Sequence, residues 1–424
     1  MSVELAIRGG TVLTPAGFQE GLALGIGGGR IAALGDVGAV GVEVDATGLY
    51  VLPGFVDVHV HGAGASSDPL AMARFLPRTG VTAFLPTLAA SSAAETLEFA
   101  ASVAHVPAEA GAAEVLGSHL EGPYLSPQHC GAQPAEHLRP PDGTEVERML
   151  AAAAGTLRRM TIAPELAGAR EVVSRLTEAG VQVSLGHSAC SYETAMEAAG
   201  WGASSVTHAY NAMAPFRHRS PGLAGAALAG EKLVAELIAD GVHVHPAAAL
   251  ALVRARGPNG VAVVSDGLPA LGLPPGEYDW AGRPVASDGV AAWLAPVSGT
   301  ATVAATGVAA LSGPAKSVGQ APPGGRPVSS ILPRDERAQD NGRRLAGSVT
   351  SLAQALRNLA SWGVPLADAA RMLALPGAQL AGAGNRKGAI CEGFDADLVL
   401  LDHGLRLVAT YCRGVLAAGR VPLL

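Results

Sequence analysis

The stretch VQVSLGHSACSYETAMEAAGWGASSVTHAYNAMAPFRHRSP, residues 181–221, decides the fold. Two short runs, Val181–Leu185 and Ser204–Thr207, read as buried strands, and each runs into a histidine, His187 and His208. Between them, the Ala and Met spacing of Tyr192–Ala199 predicts a helix. The order is strand, His, helix, strand, His. In a parallel α/β barrel, residues just past strand ends point into the active-site mouth. A single histidine there is ordinarily structural, whereas a matched pair one strand apart can share a metal ion.

Working outward, further runs close on polar residues. Thr82–Pro86 ends at Thr87, Glu114–Leu120 at Glu121, Arg159–Ala163 at Glu165, Leu233–Ala239 at Asp240 and Val261–Ser265 at Asp266. Before them stands VLPGFVDVHVHGAG, in which Asp57, His59 and His61 alternate with valines and so share one face of a strand. An HxH pair on a strand can bind one metal through both imidazoles. The eight strand ends are His61, Thr87, Glu121, Glu165, His187, His208, Asp240 and Asp266. Helical patterns at Ala93–Val103, Glu145–Ala153 and Ala169–Ala179 fill the gaps. The reading is a (β/α)8 TIM-like barrel.

Residues 1–52 read as short strands (Glu4–Arg8, Thr11–Leu13, Leu22–Ile26, Arg30–Leu34, Val42–Asp45), and Ala396–Leu401, Arg406–Thr410 and Gly414–Ala418 answer them. We expect a small β-sandwich from 1–52 plus 385–424, with the barrel over 53–384. Residues 296–343, rich in Pro, Gly, Ala and Ser, read as a flexible insertion or lid. Ser348–Trp362 and Leu366–Leu373 read as helices beyond it.

Composition bounds the function. The 424 residues are 49% hydrophobic and 15% charged, enough for a large core, and 55 Gly with 29 Pro suit repeated strand–loop–helix units. A net charge of −7 argues against general nucleic-acid binding. No apolar run approaches the roughly 20 residues of a membrane span. The N-terminus lacks a signal-peptide core, and the four cysteines show no framework spacing, so a soluble cytoplasmic protein with free thiols is expected.

Glu121, His187 and His208 would offer one carboxylate and two imidazoles, a catalytic zinc-like set with a position open for water. A metal so held brings the pKa of water toward about 7, and a carboxylate must still handle the proton. Asp266 on the last strand is the candidate, against the alternative that Ser-Asp-Gly is turn chemistry. His243 and His245, past Asp240, could contact substrate or be loop histidines. Arg217, His218 and Arg219 form a cationic cluster that could hold an anion together with backbone N–H groups around Asn211 and Ala212. The chain has three lysines, Lys232, Lys316 and Lys387, none at a strand end, so a bridging carboxylate between two metals would have to be Glu121.

Taken together, PGFVDVHVHG, HLEGPYLSP, GAQP, LGHS, THAYNAM, HRSPGLAG, ADGVHVHP, VVSDG and LAGS resemble the N-acetylglucosamine-6-phosphate deacetylases of the amidohydrolase superfamily. The resemblance covers nearly the whole chain outside 296–343. It implies hydrolysis of N-acetylglucosamine 6-phosphate to glucosamine 6-phosphate and acetate. Glu121, His187 and His208 would hold a divalent metal, zinc foremost, with iron, cobalt or manganese also suited. His59 and His61 match members with a second metal, making one or two ions per subunit. Asp266 would act as base and then acid, and His243 would stabilise or orient the acetamide. Asn211, Ala212 and Arg219 would hold the phosphate, Arg219 reaching it in its own or the partner subunit of a homodimer. Ala132 and Gln133 would contact the sugar, Gln133 standing where some members carry His. The alternatives are the galactosamine epimer, a cyclic-amide hydrolase of the dihydroorotase type, and a non-catalytic sugar-phosphate sensor. The absent bridging lysine argues against the second of these.

Overall fold

Eight short runs, apolar enough to be buried on both faces, pair in parallel: β1 (Phe55–Val60), β2 (Val81–Leu88), β3 (Ser118–Glu121), β4 (Leu157–Ile162), β5 (Gln182–Leu185), β6 (Ala203–Val206), β7 (Val234–Ile238) and β8 (Val261–Val264). This computed structural model describes residues 2–38, 40–294 and 344–423. Adjacent strands are hydrogen-bonded in order from β1 to β8. The last meets the first just beyond β8: the Asp266 N–H donates to the His59 carbonyl at 2.9 Å and the His61 N–H to the Gly267 carbonyl at 2.8 Å. The barrel is therefore nearly closed, and all eight polar strand ends named above stand at one rim.

Helices cover the barrel, and their starts follow local chemistry. Ser92 caps Ala93–Ala104 in a capping box with Glu95, Asp142 caps Gly143–Ala153, and Ser191 caps Tyr192–Trp201. The continuous strand expected over Glu114–Leu120 is broken in two. Glu114–Val115 pairs with β2, and Gly117, at φ +138°, turns the chain into β3. A Cβ on Gly117 would sit 2.3 Å from the Thr156 carbonyl oxygen, so only glycine makes this corner.

The termini form two sheets, one of Leu5–Arg8, Leu24–Gly27, Arg30–Leu34 and Val42–Asp45, the other of Thr11–Thr14, Gly17–Glu20, Tyr50–Pro53, Leu398–Leu401, Leu407–Cys412 and Val415–Gly419. Ile7, Val12, Leu24, Val51, Leu398 and Leu400 share one apolar core between them. This is the small sandwich. We propose Gly54 as its joint to the barrel, because Tyr50–Pro53 pairs within the sandwich and β1 starts at Phe55. Buried Lys387 contacts Asp397 at 2.6 Å and Glu114 at 2.9 Å, tying the C-terminal segment to the edge of β2's sheet.

A third sheet was not expected. Gly276–Trp280, Arg283–Ser287, Ala292–Leu294 and Arg344–Leu345 pair antiparallel beside the barrel mouth. Its first turn, Ala281-Gly282, has φ +52° and +69°, the left-handed pair of a tight hairpin. The polar run GEYDWAGRPVAS hid these strands, and the fourth lies across the 296–343 stretch. That stretch, expected as an insertion, falls outside the described residues. Among the described residues no helix is long and apolar enough to cross a membrane.

Candidate metal centre and active site

At the rim, β1 presents His59 and His61, the end of β3 Glu121, and the turns after β5, β6 and β8 present His187, His208 and Asp266, each of the last three with positive φ. Those strained backbones aim the side chains inward. The His187 and His208 Nε2 atoms lie 3.0 Å apart, at 3.1 and 3.0 Å from Glu121 Oε1. The His59 and His61 Nε2 atoms lie 3.3 Å apart, at 3.3 Å from Glu121 Oε1 and 3.1 Å from Glu121 Oε2 respectively. Asp266 Oδ1 is 3.4 Å from both of the latter nitrogens. Donors bound to one ion at 2.0–2.1 Å in a tetrahedron stand about 3.3 Å from each other. Among the described residues two such groups are present, His59/His61/Glu121 and Glu121/His187/His208, with Glu121 shared.

Whether these residues fit a metal can be tested by their other ring nitrogens. His59 Nδ1 faces Glu236 Oε2 at 3.0 Å, His61 Nδ1 the Thr87 carbonyl at 3.1 Å, and His187 Nδ1 the His129 carbonyl at 3.0 Å. Each acceptor fixes the proton on Nδ1, which leaves the Nε2 lone pair of the neutral ring aimed at carboxylate oxygens and at other lone pairs. Acceptors converging on acceptors is an arrangement that a cation resolves. The charge agrees: burial opposes protonation of His59, yet Glu121, Asp266 and Glu236 hold its pKa well above the ordinary value. Burial likewise favours neutral Glu121 and Asp266, but His59 and its neighbours keep both below the usual carboxylate range.

His61, Glu121, His187, His208 and Asp266 line a cavity of about 220 Å³ together with Gly131, Ala132, Gln133, Asn211, Ala212, His243, Trp280 and Arg344–Gly347. Gln133 donates to Glu121 Oε2 at 2.5 Å and accepts from the Ala90 N–H at 2.8 Å, so its amide orients the shared carboxylate. His243 contacts Asp240 Oδ2 through Nδ1 at 2.6 Å and the Ala346 carbonyl through Nε2 at 2.7 Å. Burial pulls its pKa down, but Asp240 lifts it to about 9, so both ring nitrogens donate. His245 instead caps the helix Pro246–Arg256, accepting from the Ala247 N–H. Asp57 stays out of the donor groups: its Oδ1 accepts from the His59 and Ser265 amides. Arg219 sits on an exposed loop and does not line the cavity of its own chain.

Three contributors escaped the sequence reading. Glu236, buried in β7, holds His59 Nδ1 and accepts the His208 N–H at 2.9 Å, while Arg159 of β4 meets it at 2.5 Å. His119 is buried against His59, between Thr87 and Thr161 hydroxyls, its pKa pushed well down by burial and the His59 and Arg159 charges. Trp280, from the unexpected sheet, packs edge-on against His61 at 5.3 Å. A polar residue inside a buried strand, as Glu236 in VAELI, His119 in SHLE and Arg159 in LRRMTI, is the signal that could have found the first two and the arginine beneath them.

A parallel barrel whose strand ends converge two imidazole–carboxylate groups on a shared glutamate, with a further carboxylate on the last strand, defines a metal-dependent hydrolase. Comparison with known proteins narrows the class. Residues 50–417 match the Amidohydrolase family. An N-acetylglucosamine-6-phosphate deacetylase of Lysinibacillus sphaericus is 32% identical, covering 99% of this chain and 98% of that protein. An N-acetylgalactosamine-6-phosphate deacetylase of Escherichia coli O157:H7 is also 32% identical, over 97% and 99%. The crystal structure of an Asp-to-Ala mutant N-acetyl-D-glucosamine-6-phosphate deacetylase from Mycobacterium smegmatis, in complex with N-acetyl-D-glucosamine 6-phosphate, superposes with a TM-score of 0.79 at 29% identity, over 98% and 100% of the two chains. The chain belongs to the amidohydrolase family.

Proposed function

We propose that this protein hydrolyses the acetamide of N-acetylglucosamine 6-phosphate, adding water across the C–N bond to release acetate and glucosamine 6-phosphate. The observation that carries the reading is the placement of Asp266 Oδ1 at 3.4 Å from both His59 and His61 Nε2, facing the shared Glu121. A divalent metal held by Glu121, His187 and His208, with His59 and His61 for a second, would supply Lewis acidity to the water and the amide carbonyl. Asp266, kept ionised by the imidazoles around it, accepts the proton of the attacking water and returns it to the departing amine. His243 offers its Nε2–H to the acetamide oxygen in exchange for the Ala346 carbonyl. Ala132 and Gln133 border the sugar.

The phosphate falls to Asn211 and Ala212. Left-handed residues recur in this turn, His208 (φ +28°), Tyr210 (φ +76°) and Ala212 (φ +47°), and the Asn211 N–H donates to the His208 carbonyl at 3.0 Å. Among the described residues no carbonyl accepts the Ala212 N–H. Arg219, exposed and away from its own cavity, would serve the partner subunit's site in a homodimer. The donor set suits zinc. Four free cysteines suit the cytoplasm.

The second reading is the galactosamine epimer, supported by the equal identity to its deacetylase. Acetate release from both phosphorylated sugars and from unphosphorylated N-acetylglucosamine, on protein of measured metal content, tests both. Turnover highest with N-acetylglucosamine 6-phosphate supports the proposal. Turnover highest with the epimer replaces it, and none on any substrate with metal present overturns both.

A further inference from the structure

The third sheet brings two guanidinium groups to the cavity's edge. Arg344, which lines the cavity, donates through Nη1 to the Gly131 carbonyl at 2.6 Å. Arg283 donates through Nη2 to the next carbonyl, that of Ala132, at 2.5 Å, and lies over Trp280 at 5.2 Å from the ring centre. The two are close enough for the charge of Arg344 to add to burial in lowering the pKa of Arg283. Glu136 opposes both and favours the charged form of Arg283. Two guanidinium groups are thus gathered on adjacent carbonyl groups.

Their position gives them a use. A Cβ placed on Gly131 would stand 3.2 Å from Ala212 Cβ and 3.3 Å from His187 Cε1, so the Gly131 backbone is wedged between the metal group and the Asn211–Ala212 turn. Arg344 holds the outer side of that wedge. Arg344 thereby brings a cation to the rim of the cavity, beside the Asn211–Ala212 turn. One of five guanidinium N–H groups is spent on Gly131, which leaves donors for a bidentate phosphate contact.

We propose that Arg344 binds the 6-phosphate from within the same chain, a specificity residue additional to the Arg219 loop, with Arg283 reinforcing the local positive charge. This rests on the substrate reading above.

The test compares kcat and KM for N-acetylglucosamine 6-phosphate and for the unphosphorylated sugar in the wild type, R344A, R344K and R219A. The preference for the phosphorylated sugar is expected to fall about 10- to 100-fold in R344A, the loss of a charge-assisted contact, and to fall through KM rather than kcat. R344K should fall between the two. Competitive inhibition by inorganic phosphate should weaken in parallel. Because Arg344 is exposed, R344A should unfold at the wild-type temperature. A wild-type preference that survives in R344A overturns the role of Arg344 alone. No preference in the wild type overturns the phosphate reading and this role with it.

Discussion

Glu236→Gln separates what the buried Arg159–Glu236 pair does for the fold from what it does for the site. Both residues are fully buried, and Glu236 is drawn to a pKa of about 2 against burial, chiefly by Arg159 and His59. Neutralising Glu236 leaves the Arg159 guanidinium with only the Ser184 and Ser205 hydroxyls, at 2.8 and 2.9 Å. Breaking a buried pair by removing one charge costs about 3–5 kcal/mol. The same change weakens the carboxylate hold on His59 Nδ1, and loss of such a partner lowers metal affinity about 10- to 100-fold. Denaturant unfolding in EDTA measures the first effect without metal-linked stabilisation, and chelator competition on the folded protein measures the second. The double variant R159M/E236Q removes both charges, so it should regain most of the stability of the metal-free protein while keeping the weakened metal binding. Wild-type metal affinity in both variants would refute the reasoning, because Glu236 would then be a structural partner of Arg159 only.

Asp266→Asn should lower turnover by about 10²- to 10⁴-fold with metal content unchanged, measured by acetate release beside elemental analysis; near-wild-type turnover removes its proton-transfer role. The His243–Asp240 pair makes a pH prediction. A histidine raised from 6.5 to about 9 contributes stability that is complete below pH 6.5 and lost as pH rises through 9. Denaturation in EDTA should therefore show wild type losing stability relative to Asp240→Asn across that window, and equal pH profiles would contradict it. Gly117→Ala should cost at least about 1–3 kcal/mol, since the new methyl meets the Thr156 carbonyl at 2.3 Å in a backbone conformation alanine rarely adopts. Urea unfolding checks it.

How much of this was legible follows from what each element buries. Parallel strands covered on both faces read as apolar runs, so Glu121, His187, His208 and Asp266 stood out at their ends, while His59 and His61 stood out by alternating with valines. The helix Gly222–Ala229 did not, because it is apolar all round and has no 3.6-residue stripe. The helix Pro246–Arg256 carried a readable start, His245 followed by Pro, but its histidine was weighed instead as a substrate contact. The sheet beside the mouth was hidden because its fourth strand, Arg344–Leu345, is separated in sequence from the other three, and pairing at that distance leaves no local mark. Trp280, Arg283 and Arg344 went unread with it.

The partnerships beneath the site were the least legible, and they explain why the rim holds its shape. A barrel of this kind is usually filled by branched apolar side chains. Here the layer under the metal donors is polar and linked residue to residue, although Arg159 Nε and Nη1 find no hydrogen-bond acceptor among the described residues. Glu236 links His59 to Arg159, Arg159 reaches the Ser184 and Ser205 hydroxyls, Ser184 accepts from Thr207 at 2.6 Å, Thr207 meets Thr161 at 2.9 Å, and Thr161 meets His119 at 2.9 Å. Burying these groups is costly unless each is partnered. An apolar filling of equal volume would stabilise the barrel at least as well. What it would not do is fix the tautomer of His59 and stand a neutral ring, His119, against it. The polar layer is therefore better explained by the site above it than by the fold, which is why the R159M/E236Q variant should fold well and bind metal poorly.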